Sequence, residues 1–288
     1  MFAMLKSRFL SAALVLSLCA CTTGTASPPQ SVADAPAAAT MMTVPVDGRE
    51  LRISVFRPVE APRGVLFLSH GAGGSPEMMR PLIDRLVGAG FSVVAPLHRD
   101  SMTYPAQDRE DLQSAFATRI ADLQATSAVA DRLFPGLPYG GVGYSYGSLF
   151  ALIGGGALSD MVGASVPAMK AVATFSSPGL IPGVVTDAGL QGVSVPTLMI
   201  TGTRDVVTSF IPDPAAHVHY FENEPTGGRY LAIVDGASHD FVYGQEPGYD
   251  AAIDITVRFL QAYVLGDGAA LRMLNDTESG GLIEFRRR

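Results

Sequence analysis

Three residues, far apart in the chain, have the types that acyl-transfer chemistry needs. Ser145 lies in "YGGVGYSYGSLF", with Gly143 and Gly147 two places to either side. A serine hydroxyl is a weak nucleophile until a base takes its proton, and the base works best when an acid fixes its tautomer. Asp205, in "LMITGTRDVV", and His239, in "LAIVDGASHDF", follow in that order, each just past a strand-like apolar run. The serine motif alone is weak evidence, because a chain with 31 glycines produces such spacing by accident and Ser145 would equally serve as a helix cap. Its context is stronger: a strand-like run ends at Ser145 and a helical pattern begins after it. Asp240 adjoins the histidine but follows no separate strand, so Asp205 takes the acid position.

An acyl-transfer site also needs donors for the oxyanion. "FLSHGAGGS" puts a glycine-rich turn between an apolar run and a helix start, where backbone N–H groups point outward. The amides of Ala72 and Tyr146 are the expected pair, with His70 ordering the loop. His98, Arg99, Asp100 and Arg204 read as salt-bridged loop residues. His217 and His219 follow Asp213-Pro214, a helix cap and first turn, and residues two apart on a helix do not share a face, so no metal site is expected. No cofactor is expected either.

These residues need a rigid frame. "MTVPVDGRELRISVFRP" reads as two strands joined at Asp47-Gly48, which suits a type I′ turn. Short apolar runs follow at 65–69, 91–95, 141–143, 171–175, 197–201 and 230–234, with helical segments between them. That alternation predicts an α/β fold with a mostly parallel, doubly wound sheet and an antiparallel N-terminal hairpin. Ser75 and Pro76 open a helix carrying Met79, Leu82, Ile83 and Leu86. Leu112, Phe116, Ile120, Leu123, Ala130 and Leu133 mark a long one, and Ile253 to Tyr263 the last long one. "GDGAALRMLND" and "GLIEFRRR" read as a short helix and a solvated tail.

The 288 residues, 48% of them hydrophobic, suffice for one large domain, expected over 42–288. A net charge of −7 and only two lysines, Lys6 and Lys170, argue against nucleic acid as a partner. Lys6 and Arg8 precede a short apolar run ending Leu18-Cys19-Ala20-Cys21, which predicts a signal peptide over 1–20. The end of that run resembles the bacterial lipobox, and the resemblance implies lipidation of Cys21, anchoring to a bacterial membrane and, with no aspartate after the cysteine, an outer-membrane location in the cell envelope. Residues 21–41 read as a flexible tether, and the domain beyond contains no cysteine.

"HGAGGS", "GYSYGS", "TGTRD" and "GASHD" together resemble the serine α/β-hydrolases over about residues 43–267, on the esterase branch near the dienelactone-hydrolase-like, platelet-activating-factor-acetylhydrolase-like and cutinase-like enzymes. The resemblance implies a Ser145–His239–Asp205 triad acting on small or polymeric carboxylic esters. It departs from true dienelactone hydrolases in having Ser145 where they use cysteine. Residues 176–196 are too few for a multi-helix cap. The expected lining is Met102, Tyr104, Tyr146, Leu180, Phe210, Phe241 and Tyr243, with no basic clamp. A peptidase or amidase of the same fold, and a non-catalytic envelope binding protein on this scaffold, remain as alternatives.

Overall fold

The computed structural model describes residues 38–288. The expected signal peptide, Cys21 and most of the tether lie outside the described residues. Strand β1 (Ala38–Val46) pairs antiparallel with β2 (Arg49–Arg57) around a two-residue turn. Both turn residues have positive φ, 47° at Asp47 and 75° at Gly48, as the type I′ reading requires. β1 begins within the stretch read as tether, because residues 38–41 find ladder partners on β2.

The other strands are β3 (Gly64–Ser69), β4 (Phe91–Pro96), β5 (Tyr139–Tyr144), β6 (Met169–Phe175), β7 (Thr197–Arg204), β8 (Arg229–Ser238) and β9 (Ile283–Arg287). They form one nine-stranded sheet in the order β1-β2-β4-β3-β5-β6-β7-β8-β9. β4 through β8 run parallel, flanked by antiparallel β2 and β9. This is the expected α/β-hydrolase arrangement. Its central strands are largely apolar because both faces are covered, with Lys170 of β6 as an exposed exception. Along β3, Val65 and Phe67 join one core while Leu66 and Leu68 join the other, as strand alternation dictates.

The helices are α1 (Arg80–Gly88), α2 (Leu112–Leu133), α3 (Tyr146–Gly154), α4 (Ser159–Val162), α5 (Asp187–Leu190), α6 (His219–Asn223), α7 (Tyr249–Tyr263) and α8 (Gly268–Asn275). Residues of α1 and α7 pack in one core and residues of α2 and α3 in the other. Among the described residues no helix is long and apolar enough to cross a membrane. The interval 176–196 holds only the one-turn α5.

Three expectations need correction. Ser75 makes no side-chain cap; a 3-10 turn over Pro76–Met79 precedes α1 instead. The buried face of α2 is rotated from the apolar pattern: Leu112 is exposed, whereas Arg119, Asp122 and Thr126 are fully buried. The last residues are not a solvated tail but β9, with Ile283 and Phe285 facing inward and the Phe285 ring stacked on Tyr230.

Candidate active site

Ser145 occupies the step between β5 and α3, at φ 50° and ψ −124°. A non-glycine residue rarely adopts positive φ, and here the surroundings enforce it: the Ser145 amide donates to the Phe175 carbonyl at 2.8 Å while the Ser145 carbonyl accepts from Ser148 N at 2.9 Å. The flanking glycines are sterically required. A Cβ on Gly143 would sit 2.5 Å from the Gly147 carbonyl oxygen, and one on Gly147 only 2.1 Å from the Ser69 carbonyl oxygen. The motif therefore makes the sharp strand-to-helix turn that a nucleophile elbow requires.

The sheet brings the other two residues to the same edge. Asp205 follows β7 and His239 follows β8, so all three sit one residue beyond the C-terminal ends of parallel strands. His239 Nε2 lies 3.0 Å from Ser145 Oγ, and His239 Nδ1 lies 2.7 Å from Asp205 Oδ1. Asp205 is wholly buried and also accepts from Thr201 Oγ1 at 2.8 Å. Burial alone would raise its pKa, but hydrogen bonds from His217 and His239 outweigh that and hold the carboxyl well below 3.8. It is an anion suited to fixing the His239 tautomer.

Beside Ser145 lies the loop after β3. Neither the Ala72 nor the Tyr146 amide donates to a protein acceptor among the described residues, which leaves both available to an oxyanion. The loop is gripped from behind by α2. The buried Arg119 guanidinium donates to the carbonyls of His70 (2.7 Å) and Gly71 (3.1 Å) and binds both oxygens of Asp100 at 2.9 and 2.8 Å. Asp100 in turn accepts from Gly73 N at 3.0 Å, so Ala72 is braced on both sides. Burial would raise Asp100, yet the Arg119 bonds and charge keep its carboxyl well below 3.8. His70 donates no proton to a nucleophile: its Nδ1 bonds the Gly71 carbonyl and its Nε2 accepts from His98 N, an ordering role as expected. Desolvation and then the Arg119 charge hold His70 and His98 well below 6.5.

Two sets of residues escaped the sequence reading. One is Arg119 with Asp122, which bonds His98 Nδ1 at 2.7 Å and Arg49 at 2.6 Å; an apolar periodicity count passes over both. The other is His217, whose Nε2 lies 2.9 Å from Asp205 Oδ1 and whose ring stacks on His239 with centroids 5.9 Å apart. The cap at Asp213 is as read, accepting from Ala215 N, but the turn delivers His217 to the Asp205 carboxylate. His219 pairs instead with Asp187 at 2.8 Å. Asp205, His217 and His239 offer ligand-type atoms within 4.8 Å of one another, and these atoms are engaged in mutual hydrogen bonds.

The expected lining is only partly assembled. Met102 is 73% exposed and packs over Gly73, on the oxyanion loop. Phe210 and Leu180 are exposed on the loops after β7 and β6. Tyr243 packs edge-on to Tyr144, and Tyr146 edge-on to Phe150. Phe241 is not a lining residue: it is buried in the core against Tyr249. Tyr104 carries the guanidinium groups of Arg52 and Arg99 on its ring, at 4.4 and 4.8 Å, so the lining set is not free of cations.

No family model matches the chain. Two curated proteins of Mycobacterium tuberculosis, from strains CDC 1551 and H37Rv and provisionally named phosphoribosyl transferases, are each 33% identical over 196 residues. The alignment covers 66% of this chain but only 38% of theirs, so the chain spans well under half of those relatives. Among solved structures, a dienelactone hydrolase from Anabaena variabilis is 20% identical, covering 80% of this chain and 100% of its own, with a TM-score of 0.58. A cold-adapted esterase from an Arctic intertidal metagenomic library is 19% identical, covering 78% and 93%, with a TM-score of 0.60. At these identities the likeness establishes the shared fold.

Proposed function

We propose that this chain is a serine hydrolase that cleaves carboxylic esters through an acyl-enzyme on Ser145. The observation that carries the reading is the continuous line from Ser145 Oγ through His239 to Asp205, with contacts of 3.0 and 2.7 Å, beside the free Ala72 and Tyr146 amides. Ser145 Oγ attacks the ester carbonyl while His239 Nε2 takes the hydroxyl proton, and the tetrahedral oxyanion is held by the two amides. On collapse, the carbon–oxygen bond to the alcohol breaks and Nε2 returns the proton to the departing oxygen. Water then repeats the sequence to release the acid. Among the described residues the interval 176–196 holds only a one-turn helix, which favours open access by small or polymeric esters. The name of the mycobacterial relatives raises phosphoribosyl transfer as a competitor, but a hydrogen-bonded serine–histidine–aspartate line supports acyl transfer.

A fluorophosphonate probe should label the peptide containing Ser145 and nothing else, and Ser145→Ala should lose on the order of a million-fold in ester turnover with melting unchanged. Matched ester and amide substrates separate an esterase from a peptidase. Near-parental turnover by Ser145→Ala, or no labelling of the parent, would return the chain to a binding role. We further propose, on the sequence alone, export and lipid anchoring at Cys21. Labelled palmitate should enter the parent chain and not Cys21→Ser; equal incorporation would remove the lipobox reading.

A further inference from the structure

His217 is buried, and both of its ring nitrogens face oxygens that can only accept. Nδ1 points at the Ser177 carbonyl, and Nε2 lies 3.0 Å from the Asp205 carbonyl oxygen and 2.9 Å from Asp205 Oδ1. A neutral imidazole has one N–H and one lone pair, so in either tautomer it would press a lone pair against an acceptor. With both nitrogens protonated, every contact becomes a charge-assisted hydrogen bond. The main chain holds the ring there, since Ser177 Oγ donates to the His217 carbonyl at 2.9 Å. Burial works against the charge, but the Asp205 hydrogen bond and charge outweigh it, so His217 titrates above 6.5.

We propose that His217 is a second, doubly protonated histidine on the triad carboxylate, a positioning residue that sets the acid limit of catalysis. The inference rests on the reading of Ser145, His239 and Asp205 as a catalytic triad. Asp205 Oδ1 is shared, accepting from His239 Nδ1 at 2.7 Å and from His217 at 2.9 Å. The imidazolium therefore spends part of the carboxylate's charge and adds a like charge 5.9 Å from the His239 ring. Both effects bear on the positive charge that the His239 ring acquires when it takes the serine proton. The neighbouring groups do not supply this effect. Asp240, the next residue, is exposed and negative, and Arg204 bonds the Gly236 carbonyl. Tyr144, whose hydroxyl donates to the His239 carbonyl, and Tyr243 are pushed up by burial and stay neutral. A unit charge at this distance displaces a titration by ~0.5 to ~2 pH units between the bulk-water and protein-surface dielectric limits.

The test is the pH profile of ester kcat/KM and of fluorophosphonate labelling for the full chain and for His217→Gln, which keeps a donor and loses the charge. The variant's acid limb should move to higher pH by about one unit. A structural role would lower the rate without moving the limb, and an unmoved or lowered limb overturns the proposal. Nitrogen-15 spectra of the parent provide a measurement that does not depend on the variant folding. At about pH 6.5, where an ordinary histidine is half deprotonated, both His217 ring nitrogens should be protonated. A bare ring nitrogen on His217 at that pH also overturns it. Failure of the triad reading looks different: the parent itself would show no labelling at Ser145.

Discussion

Replacing Arg119 by methionine keeps most of the side-chain bulk and removes the guanidinium that braces the oxyanion loop. Arg119 is fully buried and its partner Asp100 is 2% exposed, so the variant leaves a carboxylate with little water and without its main counter-charge. Breaking a buried pair in this way costs about 3–5 kcal/mol. For a domain of this size that lowers Tm by on the order of 10 °C. The catalytic effect is separate. The carbonyls of His70 and Gly71 lose their donor, and Asp100, which holds Gly73 N at 3.0 Å, loses its anchor, so the Ala72 amide between them is no longer fixed. Loss of one oxyanion donor is worth on the order of 10²–10³ in kcat, with KM for a neutral ester much less affected. The decisive comparison is Arg119→Met/Asp100→Leu, which removes both charges. It should recover much of the stability while staying slow, because the unpaired carboxylate is gone but the loop is still unbraced. If the double variant regains both stability and rate, the rate loss came from unfolding. If the single variant keeps parental Tm and kcat, the brace is irrelevant.

Gly147→Ala should fail to give a folded chain, since its Cβ would meet backbone at 2.1 Å, whereas Gly88→Ala, with nothing within 4 Å, should be neutral or slightly stabilising; a parental melting curve for Gly147→Ala would contradict the elbow packing. Stability should fall on acidification in two stages, first below about pH 6.5, where the unfolded chain protonates histidines that stay neutral as buried His70 and His98, and again below about pH 4, because Asp100 and Asp205 titrate well below 3.8 when folded. Asp122, pushed up to about 6 by burial, works in the opposite sense and favours folding at the lower pH, so the steep loss of Tm belongs below about pH 4. Asp205→Asn should flatten the acid limb of that stability curve, and an unchanged limb would show that Asp205 does not contribute to it.

Legibility followed the range of the interactions. The turn at Ser145, the hairpin and the existence of the parallel strands were readable because each rests on local chemistry: glycine at tight approaches, Asp47-Gly48 at a positive-φ turn, and apolar runs of strand length. β9 carried a signal that was passed over, since Ile283 and Phe285 alternate with Glu284 and Arg286 and point into the core. Arg119, Asp122 and His217 were not legible by pattern. A helix period counts apolar residues, so charged ones on the core face of α2 look like solvent positions. What satisfies them comes from β2 and from the loops after β3 and β4, distant in sequence. His217 lies twelve residues beyond Asp205, and only the fold of the loop after β7 brings them together. Phe241 was misplaced because the chain turns into a 3-10 helix at His239, which sends the ring under the sheet edge into the core.

Buried charges are poor stabilisers, since desolvation consumes most of the attraction between them. Their distribution in this chain is therefore informative. Arg119 with Asp100, and Asp205 with His217, lie directly behind the oxyanion loop and behind the proposed base. A third pair, Glu224 with Arg229, lies at the other ends of β7 and β8, where Arg229 also binds the Val193 and Pro225 carbonyls and ties loop to strand. All three occur where irregular backbone must be held without ladder hydrogen bonds. Around Ser145 they have a second consequence. Acyl transfer creates a negative oxygen and a positive imidazole a few ångströms apart, and each would otherwise require water to reorganise around it. Here a cation fixed beneath the oxyanion loop and an anion fixed beneath the base are in place before the substrate arrives. On the proposed reading the His217 ring, stacked on His239 and bonded to the same carboxylate, belongs to this prearranged field, so the groups that would order the triad would also bear on the pH range over which it acts.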